Sequence, residues 1–200
     1  MLGNKRILLI SLSVIITLVL VVIMRTVAHN NENPEAPLPI YGDLPTFELV
    51  NSKKSEFASK NLDGKVWVAN FIFTSCQGVC PILSAKMSKL QNQFKNANIN
   101  FVSISVDPET DTPEELAKYG KKYGADFNRW HFLTGKKDKI ANIMNNYFKL
   151  GFNKEPVFHS DRFVLIDHKQ RIRGFYSEAN KEQFKKLPID INAVIKSMPN

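Results

Sequence analysis

Hydrophobic residues are spread unevenly along the chain, and their pattern divides it into three parts. The first apolar run, Ile7 to Met24, carries no charge and is interrupted only by Ser11, Ser13 and Thr17. As a helix it would be about 27 Å long at roughly 1.5 Å per residue, close to the thickness of a bilayer's hydrocarbon layer. Thr26-Val27-Ala28 offers a weak cleavage site, but the apolar region of a signal peptide runs only about 7 to 15 residues. The pattern therefore predicts one retained transmembrane helix, with residues 1–25 as a short tail and anchor. Residues 26–45 are rich in Asn, Glu and Pro, with Pro34, Pro37, Pro39 and Pro45. Prolines at that density break helices and central strands, so this part is predicted to be a tether.

From Thr46 onward, residues 46–200 alternate between strand and helix signals. Phe47 to Val50 and the segment near Phe57 predict a short hairpin, and Val66 to Phe73 a buried strand. Leu83, Met87, Leu90, Phe94 and Ala97 recur at steps of four and three, one face of an amphipathic helix opening at Pro81. Phe101 to Val106 predicts the next strand. Thr112-Pro113-Glu114-Glu115 supplies a capping box with proline in the first turn, opening a helix to about Tyr123. A strand at Trp130 to Thr134 and a helix at Lys137 to Tyr147 follow. Arg162 to Ile166 and Ile172 to Tyr176 alternate around the polar turn Asp167 to Gln170, predicting an antiparallel hairpin before a closing helix at Asp190 to Met198. The order β-α-β-α-β-α-β-β-α implies an α/β domain with a central mixed sheet flanked by helices.

Charge refines the first part more than the last. Lys5 and Arg6 precede the apolar run, whereas only Arg25 follows it before Glu32 and Glu35. The positive-inside rule then puts the bulk of the chain outside the cytoplasm. No Arg/Ser-rich presequence precedes the run, which favours the periplasmic side of a bacterial cytoplasmic membrane over a mitochondrial location. The net charge of +8 falls to +5 once the three basic residues flanking the run are set aside. The remaining charges are interspersed, as on a solvated surface or one that meets an acidic protein partner. Nothing in that pattern calls for nucleic acid.

The chain has two cysteines, in Phe73-Thr74-Ser75-Cys76-Gln77-Gly78-Val79-Cys80-Pro81. They lie between a predicted buried strand and a helix, where ligands collect in α/β sheets. A structural disulfide is plausible outside the cytoplasm, but so short a loop gains little from closure. A helix N-terminus lowers a thiol's pKa, which leaves redox chemistry and metal binding both open. Two soft sulfurs would select Cu(I), zinc or an iron–sulfur cluster over a hard cation. Of the four histidines, His29 falls in the tether, His131 in a strand and His168 in a hairpin turn, whereas His159 directly precedes the strand Arg162 to Ile166. Asp107 and Asp111 sit beside prolines and a helix start, where turn capping is the ordinary role.

Three motifs carry a resemblance. Thr74-Ser75-Cys76-Gln77-Gly78-Val79-Cys80-Pro81 resembles the T-x-C-x-x-x-C-P motif of the Sco/SenC copper chaperones of cytochrome c oxidase assembly. Ser105-Val106-Asp107-Pro108-Glu109-Thr110-Asp111-Thr112-Pro113 resembles their S-V-D-P-x-x-D-T-P segment, and His159-Ser160 leading into Leu165-Ile166-Asp167 their H-S/T…L-I-D segment. Trp130 and Leu133-Thr134-Gly135 fall where that family has W…L-T-G, so the likeness spans about Leu44 to Met198. Where many members carry an acidic residue before the histidine, this chain has Phe158.

The resemblance implies a thioredoxin-like fold in which Cys76, Cys80 and His159 bind copper, as Cu(I) or Cu(II), with Asp107 close to the ligands. It also implies that Cys76 and Cys80 cycle between dithiol and disulfide. Oxidation would remove both thiolate ligands and so couple copper release to redox state. The partners implied are the copper-binding subunit of cytochrome c oxidase or another copper carrier, and a thiol–disulfide reductant. The competing expectation is an enzyme, an extracytoplasmic thiol:disulfide oxidoreductase that keeps partner cysteines reduced. A third is a tethered module using the cysteines as a redox switch for partner contact.

Overall fold

The computed structural model describes residues 15–24, 38–150 and 160–198. The chain divides into two compact units, 1–37 and 38–200. In the first, residues 15–24 are helical and their apolar side chains, Ile15 to Met24, are exposed. Among the described residues, no helix is long and apolar enough to cross a membrane. The rest of the expected span and most of the expected tether lie outside the described residues.

The second unit is built on one eight-stranded mixed sheet. Its strands are β1 (Gly42–Asp43), β2 (Glu48–Asn51), β3 (Glu56–Ala58), β4 (Val66–Ile72), β5 (Ile99–Ser105), β6 (Trp130–Thr134), β7 (Arg162–Ile166) and β8 (Arg171–Ser177). They lie in the order β1-β8-β7-β4-β5-β6-β2-β3. β4, β5 and β6 run parallel, and β7 runs antiparallel to β4. The helices are α1 (Val79–Gln93), α2 (Pro113–Lys122), α3 (Lys137–Asn142) and α4 (Lys181–Lys196). The alternation along the sequence thus leads to the central mixed sheet it predicted.

β4 shows how the sheet divides two cores. All seven of its residues are buried, and alternate side chains go to opposite faces. Val66, Val68 and Ile72 pack with Leu83, Met87 and Leu90 of α1, Leu116 of α2 and Leu187, Ile191 and Val194 of α4. Trp67, Ala69 and Phe71 face the other core, with Ile140 of α3 and the aromatic ring of Phe148. At Gly120 of α2 a Cβ would come within 2.8 Å of the Phe132 ring and 2.9 Å of Phe127. Only glycine lets α2 approach β6 this closely.

Several predicted boundaries shift. α1 opens at Val79, not Pro81, because Gly78 ends the turn there, and Cys80 therefore sits within the helix's first turn. The expected helix Lys137 to Tyr147 ends as α-helix at Asn142 and continues as a π-helical turn, Ile143–Tyr147. The closing helix begins at Lys181, nine residues before the expected Asp190, and carries Pro188 inside it. Asn180 caps it by accepting from the Glu182 and Gln183 N–H groups at 3.1 Å each. Burial of Leu187 and Ile191 on either side of Pro188 outweighs the missing backbone donor.

β1 is a strand the hydrophobic pattern did not announce, pairing Gly42 with Ile172 and Asp43 with Arg171. Arg173 holds the segment before it: Nη2 donates to the Leu38 carbonyl at 2.6 Å and Nε to that of Pro39 at 3.1 Å. Its Nη1 donates to the buried Asp167 carboxylate at 2.9 Å. Arg171 and the turn N–H groups of Lys169 and Arg171 also donate to Asp167, so burial, which raises its pKa, is outweighed and the carboxyl is held below its usual range.

Candidate metal centre

Strand β4 delivers Phe73 and Thr74 to a turn that carries Cys76, and Cys80 follows four residues later on α1. The Cys76 N–H closes the turn on the Phe73 carbonyl at 3.3 Å. Both cysteines are free thiols, Cys76 8% exposed and Cys80 1% exposed. They join the core between the sheet and α1 rather than the solvent.

The two thiols contact each other and are electrostatically unlike. Burial raises the pKa of Cys76, but the Cys80 N–H and thiol and the Gly78 and Val79 N–H groups point at its sulfur and bring it below the ordinary thiol value. These are the free donors of a helix start, which favour a thiolate. Cys80 moves the other way, up to about 12, through burial first, then its bond to the Cys76 sulfur and the negative charge of Cys76 and Asp111. Of the two, Cys76 is thus the thiol that ionises more readily, while Cys80 keeps its proton.

Asp111 is fully buried and ties the cysteine turn to the end of β5. One carboxylate oxygen accepts from the Thr74 hydroxyl at 2.5 Å, and the other from the Thr74 N–H at 3.0 Å and the Ser105 hydroxyl at 2.6 Å. This corrects the expectation that Asp111 serves turn capping alone. Its partners lie 37 and 6 residues away, so no local spacing reports them. The available signal was an aspartate in the same segment as Ser105, with Thr74 in the cysteine segment as the distant partner. Asp107 does behave as a turn residue: its carbonyl accepts from the Thr110 and Asp111 N–H groups at 3.2 and 2.8 Å. Its own N–H donates to the Ser105 hydroxyl at 3.1 Å.

Beneath the cysteines, Ser84 and Tyr119 share a hydrogen bond of 2.9 Å. Burial pushes the Tyr119 phenol far up, so it stays neutral. His159, the expected third ligand, lies outside the described residues, as does His29. The strand that follows His159 is placed: Ala69 of β4 pairs with Val164 of antiparallel β7. β7 therefore begins at the end of the sheet where β4 runs into the cysteine turn. His131 lies on β6 against Phe57, and His168 in the β7–β8 turn.

Among the described residues, no group of three or more His, Cys, Asp or Glu side chains gathers as a metal site. The cysteine pair by itself offers two soft donors. That chemistry suits a thiophilic ion or thiol–disulfide exchange.

Comparison with known proteins gives this arrangement a family. The SCO1/SenC family model matches residues 43–193. An SCO1 protein homolog of Bacillus subtilis (strain 168) is 30% identical over 162 residues, covering 78% of this chain and 84% of that protein. The solved structure of BsSco, described as a member of the Sco family of cytochrome c oxidase assembly proteins with a disulfide switch, is 30% identical. It superposes with a TM-score of 0.70, covering 81% of this chain and 97% of that one. Yeast Sco1 with copper bound shares the fold, at a TM-score of 0.65 and 24% identity over 78% of this chain and 90% of that one. With its sheet order, its cysteine turn and a match running through nearly all of the folded unit, this chain belongs to the SCO1/SenC family.

Proposed function

We propose that this chain is a membrane-anchored copper metallochaperone that supports metallation of the copper centre of cytochrome c oxidase. Cys76, Cys80 and His159 hold the copper, as Cu(I) or Cu(II), and the anchor at Ile7 to Met24 keeps the domain on the periplasmic side of a bacterial cytoplasmic membrane. The observation that carries this reading is the thiol pair: two sulfurs in contact, one held toward the thiolate by helix N–H groups, on the fold of a family whose yeast member is known with copper bound. Copper is cargo here. Its arrival displaces the proton that Cys80 retains, and oxidation of both thiols to a disulfide, with two electrons passing to an external oxidant, removes the donors and releases the ion.

The test is an anaerobic Cu(I) competition titration of the reduced chain beside Cys80→Ser and His159→Ala. One tightly held copper is expected, lost in Cys80→Ser and weakened in His159→Ala. Unchanged affinity in His159→Ala would remove that residue from the ligand set. Topology is read separately, with a membrane-impermeant maleimide on intact spheroplasts. After treatment with a membrane-impermeant reductant, Cys76 is expected to be labelled ahead of Cys80; labelling that appears only after lysis under the same reduction would place the domain in the cytoplasm.

A second reading has an observation of its own. The contrast between a lowered and a raised thiol also suits a thiol:disulfide oxidoreductase, with Cys76 attacking a partner disulfide and Cys80 resolving the mixed disulfide. That enzyme would turn over a disulfide substrate with a dithiol reductant and be indifferent to His159→Ala.

A further inference from the structure

At the other end of the sheet lies a cavity of about 420 Å³. It opens where Lys65 leads into β4 and where Trp130 and His131 begin β6, with the β2–β3 hairpin as its wall. The cysteines follow the opposite end of the seven-residue β4, roughly 20 Å away at about 3.3 Å per residue. The volume is in the range of small-molecule sites, about 300–1,000 Å³. The metal centre does not use it.

Its lining is polar and carries an excess of positive charge. Lys53 and Lys65 share it with a single acidic side chain, Glu56, and with the His131 imidazole. Among the described residues neither Lys53 nor Lys65 has a carboxylate partner, whereas the adjacent Lys54 pairs with Glu114. The turn that presents Lys53 is built rather than loose. Asn51 Oδ1 accepts from the Lys53 N–H at 2.8 Å and the Ser55 N–H at 3.2 Å, and Asn51 Nδ2 donates to the Ser55 hydroxyl at 2.8 Å. The buried Trp130 and the Phe57 ring, 4.8 Å from that of His131, close the cavity's inner side.

We propose that this cavity is a binding site for a small anion bearing a phosphate or carboxylate group, held between Lys53 and Lys65 against His131. The imidazole reports the local field. Burial first, and then the charges of Lys65 and Lys53, push its pKa down to about 4, with Asp126 pulling weakly the other way. Asn100 Oδ1 lies 3.4 Å from its Nε2. A bound anion would offset both lysines and make the imidazolium easier to form.

The experiment follows the His131 imidazole by NMR in the full-length reduced chain labelled at histidine carbons, with His131→Gln to assign the signal. Inorganic phosphate and citrate are titrated separately against sodium chloride at matched ionic strength. The expected result is a saturable shift of the His131 signal and an upward move of its titration midpoint. In Lys53→Gln/Lys65→Gln the affinity should fall by about tenfold or more, while Cu(I) binding is unchanged. Lys53→Gln alone, on an exposed turn, serves should the double variant fail to fold. Response to phosphate only assigns the site to phosphoryl groups, to citrate only to carboxylates, and to both to either. No shift beyond the chloride control, or full affinity in the lysine variants, overturns the proposal.

Discussion

Replacing Asp111 with alanine would leave three donors without their acceptor: the Thr74 N–H, the Thr74 hydroxyl and the Ser105 hydroxyl. Each unsatisfied buried group costs roughly 1–3 kcal/mol, and water entering the space recovers part of it. The expected loss for Asp111→Ala is therefore about 3 kcal/mol in denaturant unfolding. Because Thr74 stands two residues before Cys76, the variant should also alter the reactivity of Cys76 toward an alkylating agent. A change in stability with no change at Cys76 would confine Asp111 to holding the sheet. The cysteine pair was legible because a spacing of four residues, from the turn after a strand into the first turn of a helix, is a local relation. Asp111 was not, because a buried carboxylate joining the ends of two strands is visible only once the chain has folded.

Helices were legible where their signals were contiguous. Thr112 caps α2 as its sequence announced, accepting from the Glu115 N–H at 3.3 Å. The start of α4 was hidden by Pro188, which in sequence looks like a barrier, while the true start signal, Asn180, lies eight residues earlier. Asn180→Ala should cost about 1 kcal/mol, measured by thermal or denaturant unfolding. Fraying confined to Lys181–Phe184 should appear in hydrogen exchange, and full protection of that turn would mean the cap is dispensable. β1 was missed for a different reason: two residues have no period. Its place is set by Arg173 binding the carbonyls that precede it, an interaction spanning about 135 positions of sequence.

For the molecule as a whole, His131 sets an acid response. Its folded pKa of about 4 lies below the ordinary 6.5, so between those values the unfolded chain binds the proton more readily. The contribution is fully present above pH 6.5, falls as pH drops toward about 4, and loses nothing further below that. At 1.36 kcal/mol per unit the total is about 3 kcal/mol. Unfolding free energies of the wild type and His131→Gln measured from pH 7 to 4.5 should diverge in slope, the variant being flatter; parallel curves would assign the acid sensitivity elsewhere. The sheet order has a further consequence for how copies of the protein behave together. Its two outer strands, β1 and β3, have two and three residues, the first close to Pro39 and Pro45 and the second flanked by Lys53, Lys54 and Lys60. Short, charged and proline-bounded margins offer little template for edge-to-edge stacking, so crowding many such domains onto one surface should favour dispersed monomers over fibrils.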